Sequence, residues 1–145
     1  MRDIKFRGKH KNPYGDKWVH GYYAMKDGRH VIIMPHAEDY IKSLNEPKPI
    51  PQISVEHTID GNTLGQYTGL HDKNDTEIYE GDIVTNGDEN IRYVVEWKDT
   101  GLKARQTGNK SYIGLDAYKD ALEVIGNIYD NPKMIGGKWL IWVIM

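Results

Sequence analysis

Asp72, Asp75, Glu77, Glu80 and Asp82 crowd residues 72–82, the densest acidic group in the chain. Carboxylates at this density are what general acid–base catalysis or a Mg²⁺ site would need. Such chemistry also needs a partner, and no histidine, serine or lysine stands at a diagnostic spacing beside them. No nucleophile elbow, phosphate-cradling glycine loop or dinucleotide fingerprint occurs either. The acids therefore read as structural, with Asp72 in an Asx turn, Asp82 bonding backbone at a bulge, and Glu77 and Glu80 solvated. No catalytic residue and no enzymatic activity are expected.

The six histidines are His10, His20, His30, His36, His57 and His71. His20 and His30 would approach each other across a hairpin. No HxH or HExxH spacing accompanies them, and the chain has no cysteine to supply a thiolate or a disulfide. Ordinary strand histidines are expected, with no metal and no cofactor.

The basic residues are more informative. Arg2, Lys5, Arg7, Lys9 and Lys11 crowd the N-terminus with Asp3 alone opposing them, and Lys98, Lys103, Arg105 and Lys110 form a later group. Small β-barrels bind nucleic acid through such basic strand faces interleaved with aromatics, here Tyr22, Tyr93, Trp97 or Tyr112. Lys5, Arg7, Lys9, Lys98, Lys103 and Arg105 are the candidate contacts. The competing reading is that outward strand positions carry Lys and Arg to prevent edge-to-edge aggregation. The net charge of −2 argues against attraction of nucleic acid or anionic membrane by the whole protein.

These residues need elements to hold them. With 145 residues, the chain fits one domain over 1–145 able to bury its own core. Ten Tyr and fifteen Gly against one Phe favour a β protein, because Tyr suits half-buried strand faces and Gly supplies turns. Ile4-Lys5-Phe6-Arg7 alternates as a half-buried strand, Ile4 and Phe6 inward and the basic residues in solvent. Asp27-Gly28 between two β-rich runs predicts an N-terminal hairpin with a type I′ turn, and Val31-Ile32-Ile33-Met34 reads as buried on both faces. Residues 36–44 read as a helical excursion of two turns that Pro47 and Pro49 cannot continue.

Residues 64–84 form two strands around the turn His71-Asp72-Lys73-Asn74-Asp75, in which Asn74 or Asp75 takes a positive φ. Strands around Ile83-Val84, 91–97 and 102–106 continue as a β-meander with the rhythm of an SH3-like barrel, Gly81-Asp82 allowing the strand to bend. Residues 116–122 are the best helix candidate. The apolar run 139–145 needs a cover, either the protein's own sheet or a second subunit, so Trp139, Leu140, Trp142 and Ile144 are interface candidates. That run falls far short of the roughly 20 residues of a membrane span, and the N-terminus has no apolar signal core. A soluble, cytoplasmic protein without membrane contact is expected.

Four blocks of this text together resemble the YopX family of small phage and prophage proteins of Gram-positive bacteria. They are Arg2-Asp3-Ile4-Lys5-Phe6-Arg7, residues 64–84, Tyr93-Val94-Val95-Glu96-Trp97 and residues 122–132, in the family's order. The resemblance implies a mainly β fold containing a barrel-like domain, and it brings no activity or catalytic residue with it. The chain departs from the pattern twice: Asp75 stands where the family commonly has Gly, and the chain continues beyond Asn131-Pro132. The expected function is that of a non-enzymatic accessory protein in the cytoplasm of a bacterial host, engaging a host or phage protein or a second copy of itself. Nucleic-acid binding through the basic strands is the alternative.

Overall fold

The structure, a computed structural model, describes residues 4–11, 17–35, 54–88, 90–108, 111–118 and 120–136. The helical excursion at 36–44 and the apolar run with Trp139, Leu140, Trp142 and Ile144 lie outside them. The protein is mainly β, and the chain divides into two compact units, residues 4–66 and residues 67–145 with 1–3.

In the first unit, β1 (Phe6–Lys9), β2 (Trp18–Lys26), β3 (Arg29–Pro35) and β4 (Ser54–Thr58) form an antiparallel sheet in the order β4-β3-β2-β1. Both central residues of the β2–β3 turn are left-handed, Asp27 at φ 53° and Gly28 at φ 74°, and Lys26 pairs with Arg29 beneath them. This is the expected type I′ hairpin, whose twist matches that of the strands. Val19, Ile32 and Ile59 are buried, with Phe6, Tyr23, Met34 and Leu64 packed against them. The pairing Phe6↔Gly21 and Tyr23↔Ile32 puts these strand residues on one face.

Gly21 lies on that face because nothing larger fits. A Cβ there would run into the Ile33 carbonyl oxygen, which cannot retreat without disturbing the β2–β3 ladder. Gly21→Ala should cost about 2 kcal/mol by overpacking, read as a lower urea midpoint with an unchanged slope.

The end of β1 meets the end of β4 through an isolated bridge, His10↔Ile59. The Lys11 amide donates to the Thr58 carbonyl (2.9 Å) and the Asp60 amide to the Lys9 carbonyl (2.9 Å). A 3₁₀ turn, Gly61–Thr63, follows, capped by Asp60, whose carboxylate accepts from the Asn62 amide.

Strand β5 (Gly65–His71) begins beside β1, with Phe6↔Gln66 and Arg7↔Gly65, and its later residues pair with β6 (Glu77–Tyr79) in the second unit. The second unit also contains β7 (Asp82–Thr85), β8 (Tyr93–Lys98), β9 (Gly101–Gln106), β10 (Tyr112–Gly114) and β11 (Glu123–Asn127), in the order β10-β9-β8-β7-β11. A one-turn helix, α1 (Leu115–Tyr118), and a 3₁₀ turn, Pro132–Met134, complete its described elements.

This sheet is buried on both sides. Val84, Tyr93, Val95 and Ala104 pack with Ile78, Leu115 and Leu122 on one face, while Ile83 and Val94 pack with Ile128 and Ile135 on the other. The barrel expectation is therefore corrected. A small barrel has one interior and alternates inward and outward residues along each strand. Here adjacent residues of β7 and β8 are both core, and the sheet stays open with β10 and β11 at its ends.

Two local expectations also change. The helix at 116–122 stops at Tyr118, and Leu122 instead enters the core fully buried. Along Ile4-Lys5-Phe6-Arg7 the inward and outward assignments partly reverse. Ile4 is 65% exposed, whereas Arg7 is 8% exposed with its guanidinium 4.7 Å from the Trp18 ring centre. The Arg stem and planar head cover apolar surface when an aromatic face is available to stack on.

Candidate functional site

The acidic group is built into the fold. One Asp72 oxygen accepts from the amides of Asn74 (2.8 Å) and Thr76 (2.9 Å), and the other from the Val124 amide (2.8 Å). Burial pushes this carboxyl upward, but the three N–H donors, helped by the Lys73 charge, hold it below its ordinary 3.8. Asp82, 1% exposed, accepts from the Tyr79 amide at 2.7 Å, and Glu77 accepts from the Tyr79 hydroxyl at 3.0 Å. Asp75 sits at φ 65°, the left-handed turn position expected for it. Among the described residues no three His, Asp or Glu gather as a metal cluster would.

Of the histidines, His30 is committed to the hairpin. Its Nδ1 lies 2.6 Å from the Tyr23 hydroxyl and its ring stacks on Tyr23. His20 stands opposite Arg7, and Met25 is the residue opposite His30. The close pair is a different one, His10 and His57, with Nε2 and Nδ1 3.0 Å apart. Forty-seven positions separate them, and no short-range spacing could have signalled their meeting.

Strand alternation does gather the early basic residues. Arg7 and Lys9 share one parity of β1, with Lys5 at the same parity just before the strand, and the pairs Arg7↔His20 and Lys9↔Trp18 put Trp18, His20 and Tyr22 beside Arg7 and Lys9 on the same face. Continuing along β2 and β3, that face carries Lys26 and Arg29 at the hairpin tip. Lys9 Nζ, like the Arg7 guanidinium, lies over Trp18, at 5.7 Å. The face is closed at Arg7 and Val31 and open at His20, Tyr22, Lys26 and Arg29, with Tyr22 59% exposed. Lys26 bonds Glu56, and Arg29 donates to the Thr58 hydroxyl at 3.0 Å. The basic character of Lys26 and Arg29, and the alignment of Trp18 and His20 with Tyr22, escaped sequence reasoning. The period-2 pattern leading into Asp27-Gly28 carried that signal.

The later basic group belongs to the second unit. Lys103 and Arg105 share a face of β9, opposite Ala104 in the core, and the pair Glu96↔Lys103 puts Glu96 and Lys98 on it too. Much of that charge is engaged: Arg105 Nε donates to Glu96 at 2.9 Å, and Lys98 Nζ lies 5.4 Å from the Tyr112 ring centre. Partial withdrawal from water, and then the Glu96 carboxylate that accepts the Tyr112 hydroxyl hydrogen bond, push Tyr112 above its ordinary 10.0. Trp97, 50% exposed, lies on the opposite face beside Leu102.

A family profile described as YopX protein matches residues 5–136, nearly the whole chain. The chain belongs to the YopX family. A solved structure, protein EF1440 from Enterococcus faecalis, resembles this fold with a TM-score of 0.50 and 20% identity, over 94% of this chain and 100% of that one. At that identity the likeness concerns fold alone. Comparison with proteins of curated description gave no match.

Two blocks of YopX text, 64–84 and 122–132, are tied together by backbone. Besides Asp72 to Val124, the Lys73 amide donates to the Leu122 carbonyl at 3.0 Å. Within the later block the Asn127 side chain accepts from the Tyr129 and Asp130 amides, and the Asn131 side chain accepts from the Asn127 amide. Gly126 is required there, since a Cβ would lie 2.5 Å from Asn131 Oδ1. The polar residues of these YopX blocks serve turns and register. No helix of the described residues is long and apolar enough to cross a membrane.

Proposed function

We propose that this YopX protein acts by binding rather than by catalysis, as a phage or prophage accessory protein. Its ligand surface is the basic, aromatic face of β1–β3, and the ligand that surface fits is single-stranded nucleic acid. The observation that carries the reading is the cross-strand register Arg7↔His20 and Lys9↔Trp18, which with Tyr22 on the same parity of β2 gathers cations and aromatics on one face. Exposed cations along such a face track a phosphate backbone, while an exposed ring such as Tyr22 stacks on an unpaired base. Lys26 and Arg29 extend the cationic track, with Glu56 as the acid bonded to Lys26. The acidic character of the chain as a whole confines the attraction to this face.

The substitutions separate the two kinds of interaction. Lys5→Ala with Lys9→Ala should reduce the slope of log affinity against log salt by about 1.4, roughly 0.7 for each phosphate of a single strand that is no longer neutralised. Tyr22→Ala should leave the slope unchanged and weaken binding about tenfold or more, the scale of one base stack. A slope insensitive to the lysines would remove this face from the proposal.

A second reading, a host or phage protein partner or a second copy of the chain, is favoured by apolar exposure in the same unit. Met25 is 56% exposed, and Val55, on the terminal strand β4 of the sheet, is 38% exposed. A peptide strand added to such an edge gains main-chain hydrogen bonds and little salt dependence. Sedimentation across a concentration and salt series distinguishes the two readings.

A further inference from the structure

We infer that His10 and His57 form a binding site for a divalent transition-metal ion such as Ni²⁺, Cu²⁺ or Zn²⁺. Both side chains lie on the core-face parity of the first sheet, where the His10↔Ile59 bridge joins the ends of β1 and β4. Their rings meet edge-on, with centroids 5.0 Å apart and planes at 72°. His10 Nε2 and His57 Nδ1 face each other at 3.0 Å. Two ligand nitrogens held at about 2.0–2.1 Å from one ion lie about 2.9 Å apart when at right angles and about 3.4 Å apart in a tetrahedron. The observed separation is therefore that of a chelating pair, and rotation of the two rings, turning both lone pairs from each other toward a common point, completes the geometry for a square-based or octahedral ion.

The surroundings of His10 favour the same conclusion. Its Nδ1 lies 3.0 Å from the Lys11 carbonyl oxygen, and a carbonyl only accepts, so this nitrogen carries the proton. The Nε2 lone pair is thereby turned toward His57. A backbone carbonyl on the far nitrogen is the arrangement that orients metal-ligating imidazoles. With no ion between the rings, His57 Nδ1–H donates to that lone pair. On binding, the hydrogen between the rings is displaced to solvent and both rings present lone pairs to the ion. The bridge fixes the spacing from the backbone, since the Lys11 and Asp60 amides bond across it. Among the described residues these two histidines are the ligands. The site is separate from the basic face, because His10, bridged to Ile59 just past the end of β1, has the opposite parity to Lys9.

The test uses the full chain. Isothermal titration with Ni²⁺ should show one ion per chain, with a dissociation constant in the micromolar range. His10→Ala and His57→Ala should each weaken binding at least tenfold, while His20→Ala leaves it unchanged. A readout on the unsubstituted protein guards against variants that fail to fold. In a Zn²⁺ titration followed by imidazole ¹H–¹⁵N correlation, the His10 and His57 resonances should move together and saturate at one equivalent. Stoichiometric binding that survives both substitutions, shifts confined to other histidines, or no binding at millimolar ion would overturn the assignment.

Discussion

Asp72→Ala should lower the stability of the second unit by about 3 kcal/mol, because it strips three backbone donors of a charged acceptor. Two of those donors, Asn74 and Thr76, lie in its own turn, and the third, Val124, is fifty-two positions away. The substitution thus loosens a turn and unfastens β11 from it. Equilibrium urea denaturation, followed by tyrosine and tryptophan fluorescence, reads the loss. The same residue predicts a pH dependence. A carboxyl whose folded value lies below its ordinary 3.8 stabilises the fold fully above that value, and loses the contribution as pH falls through the lowered one. The gap between the unsubstituted protein and Asp72→Ala should therefore be widest near neutrality and close on the acid side. A gap that widened in acid would mean that the carboxylate is not what holds these amides.

Leu122→Ala should cost about 3 kcal/mol as well, the transfer and cavity loss of a fully buried leucine. Its side chain fills the face of the sheet formed by Val84, Tyr93, Val95 and Ala104, and its carbonyl accepts the Lys73 amide. Because Leu122 and Asp72 act on the same junction of 72–73 with 122–124, their effects should not add. The double variant should lose measurably less than the sum, by about 0.5 kcal/mol or more. Strict additivity would show that the two blocks fold as independent neighbours. The same denaturation experiment on the three variants decides it.

Local chemistry was legible in the sequence where it acted over a few residues. Asp27-Gly28 announced its turn because two left-handed positions in a two-residue loop leave few residue choices. Positive φ was narrowed to Asn74 or Asp75, because short polar side chains tolerate the left-handed region, and Asp75 takes it; the structural role of Asp72 and Asp82 followed from their positions in turns. Closure was not legible. The meander rhythm of residues 83–106 fits an open sheet or a barrel equally well, and what separates them is whether a second apolar layer covers the other face. Ile128 and Ile135 supply that layer from beyond β11, at a distance along the chain that periodicity does not encode. The helix at 116–122 failed because Leu122 and the Val124 amide are claimed by the 72–73 turn, so tertiary contacts override a short helical pattern.

The candidate surface divided in the same way. Alternation put Lys5, Arg7 and Lys9 on one parity, and it made Arg7 a solvated residue. Stacking on Trp18, brought alongside by the β1–β2 pairing, buries it instead. The later cations Lys98, Lys103 and Arg105 also share a face, yet Glu96 and Tyr112 take up much of their capacity, and only cross-strand register reveals those partners. The His10–His57 pair rests on the same kind of information, a bridge between strand ends distant in sequence.

The most direct measurement is fluorescence anisotropy of labelled single-stranded and double-stranded DNA and RNA, titrated with the purified protein across a salt series. Binding through the β1–β3 face predicts micromolar or tighter affinity for single strands, weaker affinity for duplex, and a linear fall of log affinity with log salt. Absence of binding at low salt, or binding that ignores salt and strandedness, would contradict the nucleic-acid reading.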